Sequence, residues 1–265
     1  MSTPKKIVVV TGANKGIGYE TVKALLESSG HYHVFLASRA LERGQEAVSQ
    51  LQKEVAGSNT VEALQLDVTD DSSIEHAFAA VQASVDHVDI LINNAGITKD
   101  FDYVRGKASL RECFIGSYQV NVAGTHVTTF TFLPLLLKSS DPRLIFVTGL
   151  GTFENCAAGK FPLPPDLNVG WPKEMPFETV GYRCSKTALN MLMLDYHWKL
   201  QKDGVKVWAV NPGFLATDLG DVKEMVIARG GDHPSVGAAL IKSIAEGERD
   251  GDVGKYVVKE GIQGF

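Results

Sequence analysis

The stretch that decides the fold is Lys5–Lys6–Ile7–Val8–Val9–Val10–Thr11–Gly12–Ala13–Asn14–Lys15–Gly16–Ile17–Gly18. Its continuous β-branched run reads as a strand buried on both faces. The run stops at a glycine-punctuated turn, and Tyr19–Glu20–Thr21–Val22–Lys23–Ala24–Leu25–Leu26 continues at helical spacing. Strand, glycine-rich turn and helix together make a site for a diphosphate. Gly12 permits the tight turn, Gly16 lets a ligand approach the backbone, and Gly18 lets helix and strand pack closely. The open N–H groups of the helix start face the phosphates. The spacing is G-x-x-x-G-x-G, and its place at the head of an α/β pattern gives it weight.

Outward from that turn, strands and helices alternate. Strands are expected at His33–Ser38, Val61–Leu66, Val88–Ile92, Leu144–Val147, Val205–Val210 and Tyr256–Val258. Between them, Leu41 to Val55 carries an apolar face, and Thr69–Asp70–Asp71–Ser72 caps a helix running to about Ser84. A polar loop spans 97–109. A long helix is expected from about Leu110 to Lys138, bent near its end by Pro134, and another from about Val180 to Lys202. This alternation implies parallel strands joined by right-handed crossovers. The expected architecture is α/β: a single doubly wound domain over 1–265, with a mostly parallel seven-stranded sheet and helices on both faces. One segment breaks the rhythm. Residues 150–178 hold five of the ten prolines along with Phe153, Phe161, Trp171 and Phe177. A long insertion rich in aromatics suits a substrate wall or lid beside the active site.

Bulk properties narrow the function. The chain has 265 residues, 44% of them hydrophobic, and a net charge of −5. No basic cluster extends beyond Lys5–Lys6, which argues against a nucleic-acid partner. The three cysteines (Cys113, Cys156, Cys184) lack metal or redox spacing and read as reduced thiols, and no metal site is expected. The first strand begins almost at once, leaving no room for a signal peptide. No apolar run reaches membrane-spanning length. These features fit a cytoplasmic protein without a membrane partner.

Two residues carry the candidate chemistry. Tyr182 and Lys186 stand four apart on an expected helix, so their side chains share one face. A neighbouring ammonium favours phenolate and lowers a tyrosine pKa. Such a pair can protonate an alkoxide as hydride reaches a carbonyl carbon.

With Thr11–Gly18, Asn93–Asn94–Ala95–Gly96, Tyr182–Lys186 and Asn211–Pro212–Gly213 in this order, the chain resembles the short-chain dehydrogenase/reductase family over nearly its whole length. Within it, the chain is similar to monomeric carbonyl reductases and to fungal biosynthetic reductases. Thr11–Gly18, the run from Ser38–Arg39 to Glu42–Val48, and the insertion before the Tyr–Lys helix carry that likeness. The resemblance implies a Rossmann-type fold, with Tyr182 as proton donor and Lys186 on the nicotinamide ribose. Asn121, in Val120–Asn121–Val122–Ala123–Gly124, would kink the long helix and anchor a water leading to Lys186. Gly12, Asn14, Lys15, Gly16, Ile17 and Gly18 would cradle the diphosphate. Asp67 and Val68 would meet adenine, and Asn93, Ala95 and Gly96 would line the adenosine ribose. Pro212, Gly213, Leu215 and Thr217 would fix the carboxamide. Asp67 and Thr217–Asp218 also read as plain helix caps.

Cofactor choice has its own argument. An acidic residue after strand two, which would accept from a ribose 2′-hydroxyl, is missing; Ala37–Ser38–Arg39 stands there. The Arg39 fork and the Lys15 charge suit a 2′-phosphate, so Ser38 and Arg39 point to NADP(H). One position departs from the family, which carries a serine at the end of strand five to orient the substrate carbonyl. A gapless alignment puts Gly149 there; a slip of one residue puts Thr148 there, the favoured reading; Thr152 is a third candidate.

The leading expectation is an NADPH-dependent reductase acting on a carbonyl of a bulky hydrophobic small molecule. The alternatives are an imine reductase or reductase/cyclase of secondary metabolism, and a non-catalytic NADP(H)-binding sensor or scaffold. The resemblance favours a monomer, with dimer and tetramer left open. Met191, Met193, Leu194, Tyr196 and Trp198 fit core or interface equally well.

Overall fold

A computed structural model describes residues 4–149, 153–160, 167–171, 173 and 179–265. The chain lays down β1 (Lys6–Val10), α1 (Gly16–Leu26), β2 (Tyr32–Ser38), α2 (Leu41–Glu54), β3 (Thr60–Gln65), α3 (Asp71–Ser84) and β4 (Ile90–Asn93). Then come α4 (Asp100–Val104), α5 (Leu110–Tyr118), α6 (Thr125–Leu136), β5 (Arg143–Val147), α7 (Phe153–Ala157), α8 (Val180–Leu200) and β6 (Lys206–Val210). The last elements are α9 (Lys223–Ala228), α10 (Pro234–Ala245), β7 (Tyr256–Val258) and β8 (Gly261–Gln263). The sheet order is β3-β2-β1-β4-β5-β6-β7-β8. All pairings from β3 through β7 are parallel.

Both faces of the sheet are covered, which is why its strands read as unbroken apolar runs. Val8, Val10, Ile90, Ile92 and Ile145 point to one side and meet Val22 and Leu25 of α1, Leu51 of α2 and Ile241 of α10. Val9, Leu91, Leu144 and Phe146 point to the other and meet Ile74 and Val81 of α3, Phe132 of α6, and Leu189 and Met193 of α8. Strand order reverses between β1 and β4, and a crevice opens at the carboxyl ends of strands beside such a point.

Two expectations change. The sheet has an eighth strand, β8, antiparallel to β7 through Tyr256↔Gln263 and Val257↔Ile262. The long helix is also not continuous. Gln119–Gly124 winds as a π-helical segment between α5 and α6, and wider turns of this kind often mark functional sites. Pro134 sits inside α6, two residues before its end at Leu136. Of the insertion, α7, 158–160, 167–171 and Lys173 are described. The backbone N–H of Glu154 in α7 donates to the carbonyl of Phe265 at 2.8 Å, and Phe153 and Trp171 are exposed.

Candidate active site

The turn after β1 is held from below by hydroxyl and amide side chains. Thr11 Oγ1 accepts from the backbone N–H of Asn94 at 3.0 Å and of Ala95 at 2.9 Å. The Asn94 side-chain amide donates to the carbonyls of Thr11 and Gly12 at 2.8 and 3.0 Å. These bonds weld the glycine turn to the end of β4. Gly12 has φ +61°, and a Cβ there would stand 2.9 Å from the Ala95 Cα, so only glycine fits. At the start of α1, Lys15 caps no backbone group with its side chain, and no acidic residue occupies the first turn. The N–H groups of Gly16, Ile17 and Gly18 therefore sit at an uncapped, electropositive helix end that suits a diphosphate.

Opposite Gly16 stands Thr217: a Cβ on Gly16 would meet the Thr217 methyl at 3.7 Å. Between them opens a cavity of about 330 Å³, lined by Gly16, Glu20, Thr217, Asp218, Lys223 and His233 among others. The segment carrying Thr217 is shaped by Asn211, whose Oδ1 accepts from Gly213 N–H at 3.0 Å, and by a bridge between Leu215 and Asp232. Pro212 backs this segment, lying against Gly237 of α10. Exposed Lys15 leans across toward Asp218 at 3.4 Å. Asn14 is partly buried in the turn. Arg39 is exposed at the end of β2, while the Ser38 hydroxyl is buried and donates to the Ala40 carbonyl at 3.0 Å. Asp67 accepts from the N–H and hydroxyl of Thr69 at 2.9 and 2.7 Å. The cap of α3 is Asp70, which accepts from Ser72 and Ser73 N–H. Val68 is buried, and its carbonyl lies against Gly124.

Asn121 lies inside the π-helical segment and is fully buried. Its Oδ1 accepts from Ile97 N–H at 2.8 Å, and its amide donates to the Ile97 carbonyl at 2.9 Å and to Ser185 Oγ at 2.9 Å. It thus ties the segment after β4 to α8. Lys186 Nζ is buried, donates to the Val147 carbonyl at 2.9 Å and sits 5.7 Å from the centroid of the Tyr182 ring. A Cβ on Gly96 would stand 3.2 Å from Lys186 Nζ and 3.3 Å from Asn121 Oδ1, so Gly96, Lys186 and Asn121 converge.

Burial sets the protonation of the pair. It pushes the Tyr182 phenol up to about 12 and pulls the Lys186 ammonium down to about 8. The lowering expected from a neighbouring ammonium is not seen: desolvation, which disfavours phenolate, sets the direction. Tyr182 is therefore a neutral O–H at physiological pH, the form a proton donor needs.

The favoured reading of Thr148 requires correction. The Thr148 hydroxyl is buried and donates into α8, to Asn190 Oδ1 at 2.7 Å or the Lys186 carbonyl at 3.2 Å. Gly149 faces Tyr182 instead: a Cβ there would stand 2.9 Å from the Tyr182 hydroxyl. Gly149, not Thr148, therefore stands beside the Tyr182 hydroxyl. Thr152 lies outside the described residues. The Asn93 side chain turns inward, its amide donating to Thr129 Oγ1 at 2.9 Å, and the Asn94 side chain holds the turn. Sequence reasoning also missed Ser185, which donates to the Tyr182 carbonyl at 2.7 Å. It missed Tyr256 as well, whose buried hydroxyl donates to the Gly149 carbonyl at 2.5 Å. Among the described residues, no group of three or more His, Cys, Asp or Glu could hold a metal, and no helix is long and apolar enough to cross a membrane.

The uncapped N-terminus of α1, the Gly16–Thr217 cavity and the Gly96–Lys186–Asn121 cluster fit a dinucleotide stretched across the carboxyl ends of β1 and β4. The comparisons agree. Residues 6–160 match the short chain dehydrogenase family. The chain is 45% identical to the short-chain dehydrogenase/reductase tropE of Talaromyces stipitatus, over 98% of each chain. It is 38% identical to the short-chain dehydrogenase/reductase eupG of Phoma sp, over 93% of this chain and 92% of the relative. In fold it is similar to NADPH-bound carbonyl reductase from chicken fatty liver, with TM-score 0.76 and 24% identity over 99% of this chain and 100% of that one. The Pseudomonas aeruginosa RhlG/NADP complex gives TM-score 0.74 and 21% identity, over 97% of this chain and 96% of that one. A nucleotide cleft and a tyrosine–lysine helix on one sheet, matched from end to end by such relatives, place the chain in the short-chain dehydrogenase/reductase family, oxidoreductases that act on CH–OH and C=O with NAD(P)(H).

Proposed function

We propose that the protein is an NADPH-dependent reductase of a carbonyl in a bulky, hydrophobic small molecule, and that it serves secondary metabolism. The observation that carries this is Lys186 Nζ lying 5.7 Å from the Tyr182 ring and converging with Asn121 and Gly96. A dihydronicotinamide supplies the hydride. Tyr182 donates its proton to the carbonyl oxygen as that oxygen gains the electron pair, giving the alcohol. Lys186 holds the ribose and offsets the phenolate left behind, and Asn121 keeps the segment after β4 and α8 in register. General acid assistance of this kind contributes about 10²- to 10⁴-fold.

For NADPH over NADH, the support is the exposed Arg39 at the end of β2, where no carboxylate stands, and the Lys15 charge in the turn. Both suit a 2′-phosphate. Diphosphate contacts fall to Gly12, Asn14, Gly16, Ile17 and Gly18; the adenosine side to Ser38, Asp67, Val68, Ala95 and Gly96; the carboxamide side to Pro212, Gly213, Leu215 and Thr217. The exposed Phe153 and Trp171 suit an apolar substrate wall. The three free thiols suit the cytoplasm.

A second reading draws support from Gly149. With glycine facing Tyr182 and Thr148 turned into α8, neither residue offers a hydroxyl to the substrate carbonyl. An imine substrate, or one that cyclises after reduction, depends less on such a donor. The test is oxidation of NADPH and of NADH against a panel of ketones, aldehydes, quinones and cyclic imines. Turnover with NADPH is expected, with Arg39→Ala weakening NADPH about tenfold and sparing NADH. Binding of NADPH without turnover of any substrate would favour a sensor.

A further inference from the structure

The first turn of α8 carries a contact that the reaction as described does not use. Asp100, at the start of α4, is buried, and its carboxylate reaches across to the helix on which Tyr182 rides. One oxygen accepts from Gly181 N–H at 2.8 Å, and the other from the N–H of Tyr182 itself at 2.9 Å. The second oxygen also accepts from the Thr98 hydroxyl at 3.0 Å. The hydroxyl of Thr179, at the N-cap position of α8, accepts from Arg183 Nη2 at 3.1 Å. Asp100 therefore supplies from 81 and 82 residues away what a local cap supplies in other helices.

Asp100 is itself held fast. α4 is pinned by Phe101, which is buried against Ala216, Val222 and Val226 of the segment that carries Thr217. Arg105, just past α4, donates to the carbonyls of Gly220 and Asp221 at 3.1 and 3.0 Å. Gly181 leaves room for the carboxylate, since a Cβ there would stand 2.9 Å from Asp100 Oδ1. One short helix thus links the wall of the nucleotide cleft to the backbone of Tyr182.

We propose that Asp100 is a positioning residue, whose carboxylate, bonded to the Gly181 and Tyr182 amides, sets where the Tyr182 hydroxyl stands against Gly149 and the substrate. The inference rests on the reading of Tyr182 as proton donor. A tyrosine hydroxyl lies at the end of a long lever, so a small shift at its Cα moves it out of line, and misplacements near 1 Å cost up to about 100-fold in rate. Asn at 100 keeps the size but turns an N–H₂ group toward one of the two amides. Ala at 181 keeps the charge and displaces the carboxylate.

The experiment compares wild type with Asp100→Asn and Gly181→Ala, using NADPH and menadione, with NADPH fluorescence titration to count competent sites. The expected result is kcat lower by about tenfold or more in both variants, with NADPH stoichiometry unchanged and its KM within about twofold. Unchanged kcat in both, or kcat falling only in proportion to the site count, overturns the proposal. Amide hydrogen exchange over 180–187 supplies a readout that needs no turnover. Asp100→Asn is expected to speed exchange at Gly181 and Tyr182 while Leu189–Met193 stay protected, and unchanged exchange at 181–182 overturns the proposal. If wild type reduces no carbonyl, the reductase reading fails while exchange still decides the role of Asp100.

Discussion

Replacing Gly149 with alanine tests the geometry of the site at its tightest point. The added Cβ would stand 2.9 Å from the Tyr182 hydroxyl and 3.2 and 3.3 Å from two ring carbons, where ordinary contact begins at 3.4 Å. The phenol must therefore retreat by about 0.5 Å, or the 149 backbone must move. The backbone is restrained by the Tyr256 hydroxyl on the Gly149 carbonyl, so most of the displacement falls on Tyr182. Overpacking of this kind costs about 1–3 kcal/mol, and a displaced acid loses about 10- to 100-fold in rate. Steady-state NADPH oxidation, with active sites counted by NADPH fluorescence, is the assay. Gly149→Ala should lower kcat by about tenfold or more at constant site number. Gly149→Ser carries the same Cβ with a hydroxyl that can bond the substrate oxygen, and should recover part of the loss. A Gly149→Ala enzyme with wild-type kcat would refute the close approach of Gly149 to Tyr182.

Two further outcomes concern pH. Lys186, pulled down to about 8 by burial, loses its proton above that pH in the free enzyme. kcat/KM should fall about tenfold per unit above pH 8, since this ratio reports free-enzyme ionisations; a flat profile to pH 10 would show that the ammonium does not matter. At the opposite end of the sheet, the hydrogen bond from Arg143 holds the Asp250 carboxyl at about 2, below its ordinary 3.8. A depressed carboxylate pKa contributes stability above pH 4 that is lost as pH falls toward 2. Because the Asp250 side chain is 37% exposed, Asp250→Asn should cost only about 1 kcal/mol at pH 7, with the difference in melting temperature closing between pH 4 and 2.

What could be read from the chain follows a physical line. Runs such as Ile7–Val10 and Ile90–Ile92 declare themselves because burial on both faces leaves no polar position, and β7 falls at Tyr256–Val258 as expected. β8 was not legible: three residues, Gly261–Ile262–Gln263, follow a Lys259–Glu260 turn that lacks the residues favoured in tight hairpins. What the motifs left open inside the site is register. At the end of β4, Asn93 enters the core and Asn94 holds the turn; at the end of β5, Thr148 enters α8 and Gly149 faces Tyr182. A motif gives the residues but not which of two neighbours turns inward, and a slip of one exchanges their roles. On α8, Met193 and Tyr196 are core while Met191 and Trp198 lie exposed, a division that periodicity alone left open. Asp100 and Tyr256 were invisible for another reason: each reaches a group more than 80 residues away and carries no motif.

The proposed reaction turns on Tyr182 handing its proton to a carbonyl oxygen. Its most direct test is a rapid-mixing measurement of NADPH absorbance loss when the NADPH-loaded protein meets menadione, comparing wild type with Tyr182→Phe. The variant should react about 10²- to 10⁴-fold more slowly with NADPH affinity retained; equal rates in the two proteins would show that Tyr182 is not the proton donor.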